Sequence, residues 1–197
     1  MDPRFPKGTV VTISGPAGSG KSHCASELAK YFGVPLYSSG SVFRKMAAER
    51  GLSVEAFSKI AEADDTIDNE IDRRTEECAR GGSCIIEARL ARWFSGNAPK
   101  LSFHLNAPFD VRARRIAERE GIPFEEASRR TREREASERM RYRKLYGIDL
   151  SDLSSYDFVV NTAIWDKESI VLLLRSIIEL YASQAGRADR RMSQDPV

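Results

Sequence analysis

The sequence predicts an α/β domain in which helices flank a five-stranded parallel sheet. Two observations carry that prediction. Short apolar runs alternate with longer stretches whose apolar residues recur at helical spacing, the pattern of strands joined by crossover helices. The first run, Thr9-Val10-Val11-Thr12-Ile13, leads into Gly15-Pro16-Ala17-Gly18-Ser19-Gly20-Lys21-Ser22, which has the G-x-x-x-x-G-K-[ST] spacing of a phosphate-binding loop between strand and helix.

Five strands are expected, over Thr9–Ser14, Pro35–Tyr37, Cys84–Glu87, Leu101–Leu105 and Phe158–Val160. The helix after the loop is amphipathic through Cys24, Leu28, Tyr31 and Phe32. Val42 to Arg50 and Val54 to Ala63 carry apolar residues at helical spacing, with Gly51-Leu52-Ser53 as a stop and a new N-cap. Ile67 to Ala79 continues the pattern through Ile67, Ile71 and Cys78 until Gly81-Gly82 ends it. Beyond the fourth strand, Asn106-Ala107-Pro108 opens a helix to about Glu120, and Gly121-Ile122-Pro123 breaks the chain before a second helix to about Tyr146. Residues 41–80 and 115–146 therefore read as two helical insertions on one small sheet, within a single domain spanning 1–183. Gln184 to Val197, rich in Gly, Arg, Asp, Ser, Gln and Pro, reads as a disordered tail.

Composition narrows the function class. The 197 residues are 41% hydrophobic and 30% charged, ordinary for a globular domain, and the net charge of +2 is too small to make the whole molecule a polyanion binder. No apolar run approaches the length of a membrane span and no signal-peptide core is present, so the expectation is a cytoplasmic protein without membrane contact. The three cysteines, Cys24, Cys78 and Cys84, stand apart in sequence without C-x-x-C spacing and read as apolar fillers in a reducing compartment.

The loop itself dictates chemistry. Its glycines let the backbone curl so that successive N–H groups aim at an anion, and the following helix begins with its partial positive end on the same anion. Gly15 through Ser22 are thus candidate ligands for the phosphates of ATP, with Lys21 reaching the β- and γ-phosphates and Ser22 holding Mg²⁺. Eleven Arg and seven Glu fall between Arg112 and Arg143. Arg112, Arg115 and Arg119 stand at i, i+3 and i+7, and Arg134, Glu138 and Arg141 at i, i+4 and i+7, so two helix faces present guanidinium groups. Helices of this composition are commonly solvated faces laced with weak ion pairs. Beside a phosphate loop, arginine also suits phosphoryl transfer, because its planar fork binds phosphate bidentately and stays charged. Nucleic acid is not the expected partner, since the interspersed glutamates would repel a phosphate backbone.

These residues resemble a cytidylate kinase of the compact archaeal type, within the P-loop nucleoside monophosphate kinases. The likeness runs from about Val10 to about Leu180. It rests on Gly15 through Ser22, Ser38-Ser39-Gly40-Ser41-Val42-Phe43-Arg44, Phe57-Ser58-Lys59, Ile67-Asp68-Asn69-Glu70-Ile71-Asp72-Arg73-Arg74, Glu87-Ala88-Arg89-Leu90, Thr131-Arg132-Glu133-Arg134-Glu135 and Tyr146-Gly147-Ile148-Asp149. The resemblance implies a P-loop NTPase core, an acceptor-binding region over 41–80 and an arginine-bearing lid over 115–146 that closes on ATP. The implied reaction moves the γ-phosphoryl group of ATP to CMP or dCMP with Mg²⁺, in a monomer.

Carried onto this chain, the resemblance implies that Arg44 binds the acceptor α-phosphate, with Ser39 or its neighbour Ser38 on the acceptor nucleotide. Arg89 follows the third strand as a second phosphate ligand, and Glu87 at the strand end orients a Mg²⁺-bound water. Arg134, Glu138 and Arg141 surround the acceptor, the acid accepting from a ribose hydroxyl. Arg115 and Arg119 cover the base and phosphates of ATP, and Asn161-Thr162 lines the adenine pocket. Lys21, Arg115, Arg119 and Arg134 are the implied stabilisers of the migrating group. Two departures stand out: Ala88 and Arg92 occupy positions where the family tends to have glycine. His23 and His104 fit no catalytic role. A kinase for AMP or UMP, a kinase for a small hydroxyl acceptor with Glu87 as base, and a P-loop ATPase switch without any nucleotide acceptor stay open at this stage.

Overall fold

The structure, a computed structural model, describes residues 5–96 and 100–192. Five strands form one parallel sheet in the order β2-β3-β1-β4-β5, comprising β1 (Val10–Ser14), β2 (Leu36–Ser38), β3 (Cys84–Glu87), β4 (Lys100–Asn106) and β5 (Phe158–Asn161). Every neighbouring pair is parallel. The central strand β1 is buried along its whole length, which is why Val10-Val11-Thr12-Ile13 reads as a near-continuous apolar run instead of an alternating one. The register sets Ile13 beside Glu87 and Ser14 beside His104, so the C-terminal ends of β1 and β3 lie together on one edge, with β4 running two residues further. In open α/β sheets that edge is where ligands bind.

Helix α1 (Lys21–Phe32) and the C-terminal helix α8 (Lys167–Met192) cover one face of the sheet. Leu28 and Phe32 from α1 and Leu174 and Ile178 from α8 meet Val11, Ile13, Phe103 and Leu105 in the main core. Between β2 and β3 the chain inserts α2 (Ser39–Glu49), α3 (Val54–Ala63) and α4 (Asp65–Arg80). These helices build a separate small core from Phe43, Ala47, Phe57, Ala61, Ile67 and Ile71. Ser38, Ser53 and Asp64 cap them, each side chain accepting from a backbone N–H in the first turn. A four-residue helix, α5 (Ala91–Phe94), follows β3. Beyond β4, α6 (Phe109–Glu120) and α7 (Phe124–Tyr146) form a helical pair, and α7 lies back across α3 and α4.

Three expectations change. Helix α2 starts at Ser39, three residues before the expected Val42, because Ser38 supplies the capping hydroxyl. The predicted disordered tail from 184 is replaced as far as Met192 by the continuation of α8, since the Ala- and Arg-rich run favours helix. Residues 193–197 lie outside the described residues. The cysteines are not all apart: the turn from α4 into β3 brings Cys78 and Cys84 into one packed cluster. No helix among the described residues is long and apolar enough to cross a membrane.

Candidate active site

The loop between β1 and α1 needs glycine at two points for steric reasons. Gly15 has φ 144°, and a Cβ there would stand 2.0 Å from the carbonyl oxygen of Leu105. Gly18 has φ 76°, and its Cβ would meet the Arg112 carbonyl oxygen at 2.5 Å. The loop is thus pressed against β4 and α6. Lys21 begins α1 behind it, as the spacing predicts.

Glu87, at the end of β3, is the electrostatic centre of the site. Its side chain is only 2% exposed and lies 3.5 Å from Lys21 Nζ. Ser38 donates to Oε2 at 2.5 Å, and the Ser22 hydroxyl also favours the charged form of the same carboxylate. Burial alone would raise this carboxyl, but Lys21, the two hydroxyls and Arg44 outweigh it and hold it below its ordinary value. Burial lowers the Lys21 ammonium to about 8, with Arg89 and Arg134 adding to the effect and Glu87 and Glu138 opposing it. Of the two rival serines, Ser38 is the one directed at Glu87, and Ser39 is the first residue of α2. Arg44 is held one turn on, donating to Ser41 Oγ at 3.1 Å, and burial followed by its cationic neighbours lowers its own pKa.

A second acid gathers the arginines. Glu138 on α7 meets Arg89 at 2.7 Å and accepts from Arg134 Nε at 2.9 Å. Burial would raise the carboxyl, yet Arg89 and Arg134 hold it at about 2. Arg89 also donates to the Gly15 carbonyl at 2.8 Å, so it bridges the phosphate loop to α7. The structure therefore gathers Lys21, Ser38, Arg44 and Glu87 in one cluster and Arg89, Arg134 and Glu138 in a second, and the charges of the second act on Lys21 in the first. A cavity of about 590 Å³ opens beside Gly15 and Pro16, with Arg89 and Glu138 in its wall.

Other expected residues have different partners. The Arg112, Arg115 and Arg119 face divides its work. Arg112 is buried, donating to the carbonyls of Ala17 and Ala107 and to Glu135, which makes it a prop beneath the loop. Arg115 bonds Gly18 O and both oxygens of Thr162. Thr162 does not face open space as the adenine-pocket expectation required: it is 3% exposed, its hydroxyl reaching Ser19 O and Asn106 O, so it anchors Arg115. Arg119 is exposed and paired with Glu120, though its charge still acts on Arg44. Arg141 is 3% exposed, 3.1 Å from Asp68, and donates to Ser58 O. It closes α7 against α3 and α4. Arg92 donates to Ser155 O, which tethers α5 to the segment before β5. His104 is buried in β4 against Tyr156, and burial, then Arg89 and Lys21, lower it to about 4, leaving a neutral imidazole.

Sequence reasoning missed the supports. Asp65, Asp68 and Asp72 share one α4 face at i, i+3 and i+7 and engage Lys144, Arg141 and Tyr146 of α7. Their spacing was the available signal. Glu135, which pairs with Arg112, had no signal beyond adjacency to Arg134.

Among the described residues no group of three or more His, Cys, Asp or Glu could hold a metal by itself. The Ser22 hydroxyl and the buried Glu87 carboxylate are hard oxygen donors of the kind Mg²⁺ takes when substrate phosphates and water complete its shell. They fit such an ion.

The fold is shared with small-molecule kinases. A gluconokinase from Sinorhizobium meliloti superposes with a TM-score of 0.59 at 15% identity, over 91% of this chain and 96% of that one. Shikimate kinase from Acinetobacter baumannii does so with a TM-score of 0.55 at 13% identity, over 90% and 94%. Relatives in sequence are far nearer. A cytidylate kinase from Pyrococcus horikoshii is 45% identical over 86% of this chain and 88% of its own length. One from Halobacterium salinarum is 42% identical over 89% and 92%. Residues 10–164, which contain the phosphate loop, Glu87, Arg89 and all of α7, match the cytidylate kinase-like family, and the chain belongs to that family.

Proposed function

We propose that the protein transfers the γ-phosphoryl group of ATP to CMP, and to dCMP with it, giving ADP and the nucleoside diphosphate. The observation that carries this reading is the convergence of two buried acid clusters on Lys21: Glu87 pairs with it directly, and the charges of Arg89, Arg134 and Glu138, which pair with one another, act on the same ammonium. Helices α2–α4 form the acceptor insertion and α6–α7 the lid.

The acceptor phosphate is already ionised, so an in-line attack needs positioning and charge stabilisation more than a general base. The loop amides and Lys21 hold the donor phosphates, while Arg44 and Arg89 hold the acceptor oxygen in line with the γ-phosphorus. Arg134 neutralises charge on the migrating group from above, and Arg115 and Arg119 close the lid. Glu138 keeps Arg89 and Arg134 aimed inward until phosphate replaces it, and then accepts from the acceptor ribose. Ser22 and Glu87 would hold Mg²⁺, which would supply charge neutralisation to the phosphates. Arg141 completes the acceptor wall beside Asp68. We place the activity in the cytoplasm, in a monomer acting on free nucleotides.

The test is ADP formation from ATP and Mg²⁺ with CMP, dCMP, UMP, AMP, GMP or no acceptor. CMP-dependent turnover that Lys21→Ala and Arg44→Ala both abolish is expected. Turnover that needs no acceptor and survives Arg44→Ala overturns the proposal in favour of an ATPase.

A further inference from the structure

The turn that leads from α4 into β3 carries two thiols that the family reaction does not use. Cys78 lies in the last turns of α4, half-exposed, and Cys84 opens β3, buried. Between them Gly81-Gly82-Ser83 reverses the chain tightly: Gly82 has φ 59°, and Ser83, with φ 46°, is the one non-glycine residue at positive φ among the described residues. The reversal folds the Cys84 side chain back under the helix, where its Sγ donates to the Cys78 carbonyl oxygen at 3.5 Å. Both side chains pack in one cluster with Ala79 and Ile86.

We propose that Cys78 and Cys84 form a reversible intramolecular disulfide, a modification site at the joint between the acceptor insertion and the sheet. The partly exposed thiol is the one an oxidant meets first, and the buried one resolves it. With a peroxide, the Cys78 thiolate displaces hydroxide from the O–O bond and becomes a sulfenic acid. The Cys84 sulfur then attacks that sulfur, the S–S bond forms, and water leaves with the Cys84 proton, so two thiols are oxidised as one peroxide is reduced to water. The closeness of the two thiols favours this order, because it draws the Cys78 thiol below its ordinary value while Cys78 and burial push Cys84 up. Cys24 takes no part: it is buried on α1 in the main core, and burial raises it to about 12.

The bond acts on acceptor binding, and this part rests on the proposed function. Cys84 begins the strand that ends in Glu87, and Cys78 ends the helix whose Asp65, Asp68 and Asp72 hold α7. A covalent bond there fixes the angle between insertion and sheet and leaves the phosphate loop untouched.

The experiment treats the full chain with hydrogen peroxide and, separately, with oxidised glutathione, followed by intact mass and non-reducing peptide mapping. The expected result is loss of two hydrogens, a linked Cys78–Cys84 peptide pair, free thiols falling from the three of the sequence to one, and reversal by dithiothreitol. Cys24→Ala should leave the bond unchanged, and Cys84→Ser should leave Cys78 as a sulfenic acid that dimedone traps. Three thiols persisting, a stable glutathione adduct on Cys78 with Cys84 free, or a covalent dimer overturns the proposal. These mass readouts hold whether or not the protein phosphorylates CMP. In the kinase assay the oxidised protein should show a several-fold change in KM for CMP with KM for ATP unaltered; unchanged KM values in fully oxidised protein overturn the link to acceptor binding.

Discussion

Lys21 shows how a single charge sets a working range. Burial lowers its ammonium to about 8 in the free protein, and phosphate oxygens would draw the proton back on. Binding of ATP therefore takes up a proton at pH near and above that value, and affinity falls as pH rises through it. Calorimetric titration with ATP in buffers of different ionisation enthalpy at pH 8.5 should reveal proton uptake, absent in Lys21→Ala. The glycines make a steric counterpart. A methyl group at Gly18 would meet backbone of Arg112 at 2.5 Å, which no rotamer change relieves. Gly18→Ala should lose ATP binding by at least tenfold in a fluorescent-nucleotide competition assay, while Gly20→Ala, whose Cβ meets nothing within 4 Å, should lose much less despite its φ of 90°.

At the level of elements, α7 is held from both sides by buried charge. Arg112 and Glu135 join α6 to α7 beneath the loop, with side chains 8% and 19% exposed. Removing the carboxylate leaves a buried guanidinium with only carbonyl partners, and Glu135→Leu should cost about 3 kcal/mol in urea unfolding, the usual penalty for stranding half of such a pair. The far end of α7 meets the α4 acid stripe. There Tyr146 donates to Asp72 at 2.6 Å, yet burial, with Asp68 and Glu76 nearby, raises the Asp72 carboxyl from 3.8 to about 7. Between those two values the folded state keeps a proton that the unfolded chain has released, so this group makes stability fall as pH rises from about 4 to about 7. Asp72→Asn, which can still accept from Tyr146, should shrink the stability difference between pH 5 and pH 8. An equal difference in the variant would show that Asp72 does not titrate there.

Across the whole molecule, what the chain made legible is what repeats or ends abruptly. The bounds of α3 follow from its apolar spacing and from Ser53 as a cap, and β3 from its continuous apolar run between Gly82 and Glu87. Pairing across the fold is different. Nothing in local periodicity says that Arg115 faces Thr162, that Arg141 meets Asp68, or that Cys84 folds back on Cys78, because those contacts depend on how separate elements dock. Docking also divides the molecule energetically. The main core joins the sheet to α1 and α8, whereas the insertion has its own core around Phe43 and Phe57, whose rings lie 4.8 Å apart. Two cores permit local opening of one without loss of the other. Phe57→Ala removes a fully buried ring from the smaller core, at a cost of about 3–5 kcal/mol by analogy with other buried aromatics. The insertion alone cannot absorb that loss, so it should open while β1, α1 and the phosphate loop persist. Hydrogen exchange should then rise across α2–α4 and stay low in β1 and β4, and KM for CMP should climb with ATP binding retained. Leu174→Ala strikes the main core instead and should raise exchange in the sheet as well. Uniform exchange in Phe57→Ala would mean that the two cores unfold as one, and that the α2–α4 insertion cannot move independently of the phosphate loop.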